Sequence, residues 1–252
     1  MSVKRVLVAS GKGGVGKTWL AITLSQALSL RGERVLLFDG DLGMANVDIQ
    51  LGLLAKRDLS HVIDGKHNLQ DVITPYSKGF DVISGRSGNG SFANLSETIQ
   101  TAILKNLNEM SDDYETVVID LAAGVDAVTQ NFGALGEICL IVLTDEPTSM
   151  TDAYAFLKVM MKKHPKIKPA VVVNMAETYE RGQKVYEGFS RVCENYLDFT
   201  PKLAGIIRKD PQVKQAICKQ LPLFAINPSS QAARDVEKVA AWVDHNSILV
   251  CH

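Results

Sequence analysis

Gly11-Lys12-Gly13-Gly14-Val15-Gly16-Lys17-Thr18 is the stretch of this chain best suited to chemistry. It follows the apolar run Val6-Leu7-Val8-Ala9 and precedes a segment with helical apolar spacing. A glycine-rich turn between strand and helix aims several backbone N–H groups at one point, and the positive end of the helix dipole adds to the same field. Phosphate oxygens fit that seat. In a G-x-x-x-x-G-K-S/T string the lysine, here Lys17, reaches the outer phosphates as a point charge, and the Thr18 hydroxyl joins the shell of a magnesium ion. The motif does not specify Lys12. A cation there sits beside the loop rather than in it, placed to reach a nucleotide held by a second subunit.

The loop needs elements to hold it. Strand and helix patterns alternate along the chain, which predicts a parallel sheet covered on both faces. Expected strands are Lys4–Ser10, Arg34–Asp39, Phe80–Ser84, Tyr114–Asp120, Ile138–Thr144, Pro169–Asn174 and Lys202–Ile207. Tyr114–Asp120 and Ile138–Thr144 are near-continuous apolar runs, as expected of central parallel strands buried on both faces. Helices are expected from Gly16 to about Leu30, then over Leu95–Met110, Met150–Lys163, Tyr179–Leu197, Gln212–Lys219 and Ser230–Asp244. Short helical turns are expected at Leu59–Ile63 and Leu69–Val72, and Ser229 or Ser230 should cap the last helix. The fold class that follows is α/β: a single-domain three-layer sandwich around a mostly parallel twisted sheet of about 7–8 strands.

Composition sets bounds on partners and compartment. The chain has 252 residues, and no linker, repeat or composition shift divides it, so one domain over 1–252 is expected, with 246–252 a short tail. Hydrophobic content of 46% against 22% charged is that of a folded protein and excludes extended disorder. The net charge of −1 gives no support for general nucleic-acid binding. Cys139, Cys193, Cys218 and Cys251 never form C-x-x-C, and free thiols in a reducing compartment are expected. No apolar stretch approaches the ~20 residues that span a bilayer. The histidines show no metal-ligand spacing, and His61 and His67 are expected to face solvent. A cytoplasmic location follows.

In such sheets ligands bind at the carboxyl ends of the strands, near the point where strand order reverses. Polar residues end three of the expected apolar strands: Asp39, Asp120 and Asn174. Phosphoryl transfer needs positioning and charge neutralisation more than a covalent nucleophile. Thr18 is therefore expected to ligand magnesium directly, with Asp39 and Asp120 holding its waters. Asp41, two residues past its strand, stands where a carboxylate could orient an attacking water. Gly124, in the string Asp120-Leu121-Ala122-Ala123-Gly124, could offer its amide to a γ-phosphate.

The phosphate loop with Lys12 resembles that of the MinD/ParA class of P-loop ATPases. Within that class three further stretches resemble the flagellar-number regulators of the FlhG (FleN) family. They are Asp39-Gly40-Asp41-Leu42-Gly43-Met44-Ala45-Asn46-Val47-Asp48, Glu146-Pro147-Thr148-Ser149-Met150-Thr151-Asp152-Ala153-Tyr154, and Asp210-Pro211-Gln212-Val213 with Gln220-Leu221-Pro222-Leu223. The resemblance implies an ATPase that binds ATP/ADP and Mg2+, dimerises with ATP, and regulates the number and placement of polar flagella. By that resemblance Lys12, Lys17, Asp41 and Asp120 are catalytic, and Thr18, Asp39 and Asp120 surround the metal. Nucleotide contacts extend over Gly11–Thr18, Trp19, Asn174, Ile207, Arg208 and Asp210. Implied partners are a second copy of the chain, a signal-recognition-type GTPase, flagellar basal-body and C-ring proteins, and a flagellar transcription activator. Location at the inner face of the plasma membrane or the cell pole is also implied. The alternative within the class is an ATPase that positions the division site or a cargo on membrane or DNA.

Several residues depart from the class pattern. Trp19 stands where a small or polar residue is usual, Leu121 replaces a small polar residue of the second switch, and Ile207-Arg208 replaces Ile-Pro. The family's glutamine-containing activator helix is not expected within these 252 residues, whose first strand starts at Lys4. Its last helix mixes Arg234 and Lys238 with Asp235, Glu237 and Asp244, so a docked structural helix is expected there rather than a lipid-binding one.

Overall fold

A computed structural model describes residues 3–41, 45–76, 79–85, 97–110 and 113–247. Eight strands form one sheet in the order β3-β4-β2-β5-β1-β6-β7-β8. Their ranges are β1 Lys4–Ala9, β2 Val35–Gly40, β3 Ile73–Tyr76, β4 Phe80–Ile83, β5 Thr116–Leu121, β6 Ile138–Leu143, β7 Lys168–Ala176 and β8 Lys202–Arg208. All neighbours pair in parallel except the edge pair β3–β4. The chain winds outward from β1 in one direction through β2 and β4, then returns and crosses to β6 on the other side. The order therefore reverses at β1, and the loop after β1 opens into the crevice that the reversal leaves.

Alternation along each strand sorts the core into two apolar layers. Leu7, Phe38, Ile119, Ile141 and Val171 point to one face. Val6, Val8, Leu37, Val118, Leu140 and Val172 point to the other. The first face is covered by α3 (Leu59–Ile63), α4 (Glu97–Met110), α5 (Ala127–Phe132), α6 (Pro147–Lys163) and α7 (Tyr179–Leu197). The second carries α1 (Lys17–Leu30), α2 (Val47–Leu51), α8 (Pro211–Cys218), α9 (Leu223–Ile226) and α10 (Gln231–Ser247). β2, β5 and β6 are buried at every position, so β6 reads as an unbroken apolar run and β2 and β5 as apolar runs broken chiefly by Asp39 and Asp120 near their ends.

Helix α1 starts at the phosphate loop and ends where expected. Gly32 takes φ 93, and its N–H reaches the Ser29 carbonyl at 2.9 Å, closing the last turn. Helix α10 lays Ala232, Val236, Val239, Ala240 and Val243 against the protein, so its apolar face is already covered. The Ser230 hydroxyl accepts from the Ala233 N–H at 3.2 Å, which selects Ser230 over Ser229 as the cap.

Four elements lie outside the sequence expectation: α2, β3, α5 and α9. Each is six residues or shorter, too brief for periodicity to show. Strand β3 also carries Pro75, which an edge strand tolerates and a central one does not. His61 and His67 are half-buried rather than solvent-facing: their rings contact each other, and His61 Nδ1 accepts the Asp58 N–H at 3.3 Å in a capping box. Cys139 and Cys193 are buried free thiols and Cys218 an exposed one; Cys251 lies outside the described residues, as do residues 42–44 and the 95–96 start expected for α4. Among the described residues no helix is long and apolar enough to cross a membrane.

Candidate functional site

Gly14 and Gly16 take φ 82 and 85, left-handed values that L side chains rarely adopt, so the turn after β1 requires glycine there. Gly13 and Gly14 face open space, whereas Gly11 is wedged against α6: a Cβ there would sit 2.1 Å from the Asp152 carbonyl carbon. The result is a loop packed from behind and open in front. Asn174, nearly fully buried at the end of β7, donates through Nδ2 to the Val15 carbonyl at 2.8 Å. The β7–β8 register breaks between Val173 and Ala176, and Met175 takes φ 58. Such a bulge re-aims side chains next to a site.

At the foot of the loop Lys17 and two carboxylates share a buried space. Asp39 of β2 and Asp120 of β5 are directly paired in register. Lys17 Nζ lies 2.7 Å from Asp120 Oδ1, with both side chains almost wholly buried. Asp39 accepts the Asp41 N–H at 3.1 Å and the N–H groups of Asn46 and Val47 at 3.2 Å each. Burial, reinforced by the charge of Asp120, pushes the Asp39 carboxyl up to about 8. Burial raises Asp120 as well, opposed by the Lys17 ammonium and the Thr18 hydroxyl. The site thus brings together more carboxyl groups than one lysine can keep ionised.

A divalent cation would supply the missing charge, and the residues fit one. Asp120 Oδ2 is buried without a hydrogen-bond partner, a vacant acceptor beside Thr18. Among the described residues no cluster of three or more His, Cys, Asp or Glu could hold a metal alone. Magnesium matches that limit, since it keeps its waters and completes its octahedron with substrate phosphate oxygens.

Beyond the loop, a cavity of about 610 Å³ is lined by Gly16, Trp19, Asn174, Met175, Ile207, Arg208, Asp210, Val213 and Ile217, among others. Its wall is mostly apolar side chain and aliphatic stem, suited to a flat base. Trp19, Asn174, Ile207, Arg208 and Asp210 are therefore brought together beside the phosphate loop. The polar groups of Asn174, Arg208 and Asp210 are nonetheless engaged within the protein, whereas Trp19 Nε1 is buried without a hydrogen-bond partner among the described residues. The Arg208 guanidinium grips Asp235 of α10 through two 2.8 Å bonds. Asp210 accepts the Gln212 N–H at 2.9 Å and the Ala232 N–H at 3.0 Å, tying α8 to α10. Met175 and Ile217 are not marked in the sequence as site residues, and Val213 stands there only within the third quoted stretch; the spacing of Val213 and Ile217 on α8 is the available sign.

Lys12 stands apart from Lys17, exposed at the rim. Its Nζ lies 2.6 Å from Glu146 Oε2 and donates to the Thr148 hydroxyl at 3.0 Å. Glu146 and Thr148 belong to the second of the quoted stretches, and this contact gives that stretch a position in the site. Asp41 is half-buried beside Asp39. The Gly124 N–H is engaged at 2.9 Å with the Ser10 carbonyl, so offering it to a phosphate requires breaking that bond. Leu121 is wholly buried at the end of β5 in the apolar layer.

Comparison with known proteins agrees with this geometry. Residues 6–223 match the family described as the CobQ/CobB/MinD/ParA nucleotide binding domain. The chain is 36% identical to the antiactivator FleN of Pseudomonas aeruginosa, over 96% of its own length and 86% of that protein's. It is 28% identical to the flagellum site-determining protein YlxH of Helicobacter pylori, covering 95% and 81%. Among solved structures, the cell division ATPase MinD of Pyrococcus furiosus superposes with a TM-score of 0.79 at 25% identity, covering 97% and 100%. MinD of Pyrococcus horikoshii, complexed with Mg-ADP, shares the fold with a TM-score of 0.80 at 24% identity, covering 98% of each chain. A phosphate loop at the sheet's switch point, a buried lysine between two strand-end carboxylates and these matches converge: the chain belongs to the CobQ/CobB/MinD/ParA nucleotide-binding family, among relatives of the FleN type.

Proposed function

We propose that this chain is an ATP-hydrolysing switch that dimerises with ATP and regulates the number or placement of flagella. The observation that carries the nucleotide part is the buried Lys17–Asp120 pair beside Asp39, under a loop open in front. YlxH supports the flagellar part through its name, flagellum site-determining protein, and the resemblance to the FlhG (FleN) family, with FleN itself 36% identical, points the same way. The 252 residues would act as one ATPase domain in the cytoplasm or at the inner face of the membrane, and the implied flagellar proteins are its proposed partners.

Lys17 would exchange Asp120 for the outer phosphates, which leaves Asp120 and Asp39 to hold the waters of a magnesium ion ligated by Thr18. When bound, that ion neutralises charge on the phosphate oxygens. Asp41 would orient water in line with the bond to the β-phosphate oxygen. The O–P bond forms as the bridging bond breaks, and the water's proton ends on phosphate. Ile207, Arg208, Asp210, Asn174 and Trp19 would form the walls around adenine. Lys12 would leave Glu146 and Thr148 to reach the nucleotide of the second subunit. The apolar face of α10 is occupied by the protein core, which favours this reading over one in which that helix binds lipid.

Light scattering during size-exclusion chromatography tests the switch. Wild type should be monomeric in ADP and dimeric in a slowly hydrolysed ATP analogue with magnesium, whereas Lys12→Ala and Lys17→Ala should stay monomeric. Monomers in both nucleotides, for wild type and for a hydrolysis-blocked Asp41→Ala protein, would overturn it.

A further inference from the structure

The stretch Gln220-Leu221-Pro222-Leu223 has no role in the site as described, yet it joins the site's two ends. Helix α8 gives the cavity Val213 and Ile217. It also packs on α2, with Ala216 in the same apolar layer as Val47 and Leu51. Just past α8, Gln220 takes φ 53, a left-handed value that helix ends usually assign to glycine or asparagine. Its N–H closes on the Ile217 carbonyl at 3.0 Å, and the next N–H on Ala216 at 3.1 Å. Glycine would suit this backbone better, so a long side chain here points to a use.

That use is visible in the contacts. Gln220 Nε2 donates to the Ile49 carbonyl of α2 at 2.9 Å. Gly52, the left-handed cap of α2 at φ 59, lies against the same side chain; a Cβ there would meet Gln220 Cβ at 3.1 Å and Oε1 at 3.3 Å. The far end of α2 is held as firmly: the Asn46 and Val47 N–H groups both donate to Asp39 Oδ2. Helix α2 has only five residues, little more than one turn, so a shift at one end moves the other.

We propose that Gln220 is a positioning residue that couples occupancy of the base cavity, through α2, to the setting of Asp39. The inference rests on the reading of that cavity as the base end of a nucleotide site. A base against Val213 and Ile217 fixes α8, Gln220 fixes α2, and the Asn46 and Val47 amides hold the Asp39 carboxylate toward Asp120. Phosphates without a base would fill the loop but leave α2 unset. The site would then distinguish a nucleotide from a bare polyphosphate at the carboxylates as well as at the cavity.

Amide hydrogen exchange on the full chain tests this, in magnesium alone, with pyrophosphate and with ADP. In wild type, ADP should slow exchange across Asn46–Leu53 by at least roughly threefold beyond pyrophosphate. Gln220→Glu keeps the shape of an exposed side chain but cannot donate to Ile49. In that variant ADP should still protect α8, while the added protection of α2 disappears. Two results overturn the coupling: equal α2 exchange with ADP and pyrophosphate in wild type, or an ADP increment that survives in Gln220→Glu. Absence of ADP protection at both α8 and the phosphate loop of wild type would instead overturn the site reading, and the inference with it.

Discussion

Arg208→Ala separates a structural charge from a nucleotide contact at the wall of the cavity. The Arg208 fork makes two 2.8 Å bonds to Asp235, and its backbone N–H adds a third at 3.2 Å. Asp235 is fully buried, while the guanidinium side chain is 26% exposed. Removing one partner of a buried pair costs about 3–5 kcal/mol, because the other charge is left desolvated. Lys238 Nζ remains 3.7 Å from Asp235, which should hold the cost near about 3 kcal/mol. Asp235→Ala leaves a guanidinium that can turn to water, so about 1–2 kcal/mol is expected. The double variant strands neither charge. Its loss should fall short of the sum of the single losses by about 2 kcal/mol. Urea denaturation of the four proteins supplies the cycle, with equal m-values as the check on two-state behaviour. Losses that add to within about 0.5 kcal/mol would refute the coupling. So would an Arg208→Ala protein as stable as wild type but more than roughly tenfold weaker for ADP, since the guanidinium would then serve the nucleotide rather than Asp235.

The remaining predictions concern the loop and its carboxylates. In a chelator, wild-type stability should fall as pH rises from about 4 to about 8, because folded Asp39, held near about 8 against an ordinary 3.8, keeps a proton that the unfolded chain has released. Asp39→Asn should remove on the order of 3–4 kcal/mol of that decline between about pH 5 and pH 8; matching urea midpoints for both proteins at each pH would count against it. Gly11→Ala drives a Cβ into the α6 backbone and should cost about 3 kcal/mol or more, whereas Gly13→Ala enters open space and should cost less than about 1 kcal/mol, so equal thermal shifts would contradict the packing. Lys17→Met leaves buried Asp120 without its cation, and calorimetry should show ADP affinity reduced at least roughly a hundredfold; unchanged affinity would mean that Lys17 does not face the phosphates.

Local chemistry made most of the architecture legible. The central strands read correctly because burial on both faces leaves mostly apolar residues, and α7 and α10 because long one-sided helices repeat their pattern; α1, buried along nearly its whole length, followed from the loop that starts it and the glycine that stops it. The Gly11–Thr18 loop was legible for a related reason: left-handed turns demand glycine, and the adjoining strand and helix carry strong patterns of their own. Helices α2, α5 and α9 and strand β3 were not, since a few residues cannot establish a period.

What the sequence alone determined was therefore the strand–loop–helix seat, the alternating α/β order and the carboxylates that end β2 and β5. The tertiary structure decided which groups meet. It put Lys17 on Asp120, 103 residues away in sequence, Lys12 on Glu146 and Thr148, Arg208 on Asp235, and Gln220 on Ile49. It also decided that Asp39 sits in a fully buried space beside a second carboxylate, which turns an ordinary acid into one that holds its proton near neutrality. The physical reason is range. Backbone conformation and apolar period are set by neighbours along the chain, whereas pairing and desolvation are set by neighbours that only the folded sheet brings together.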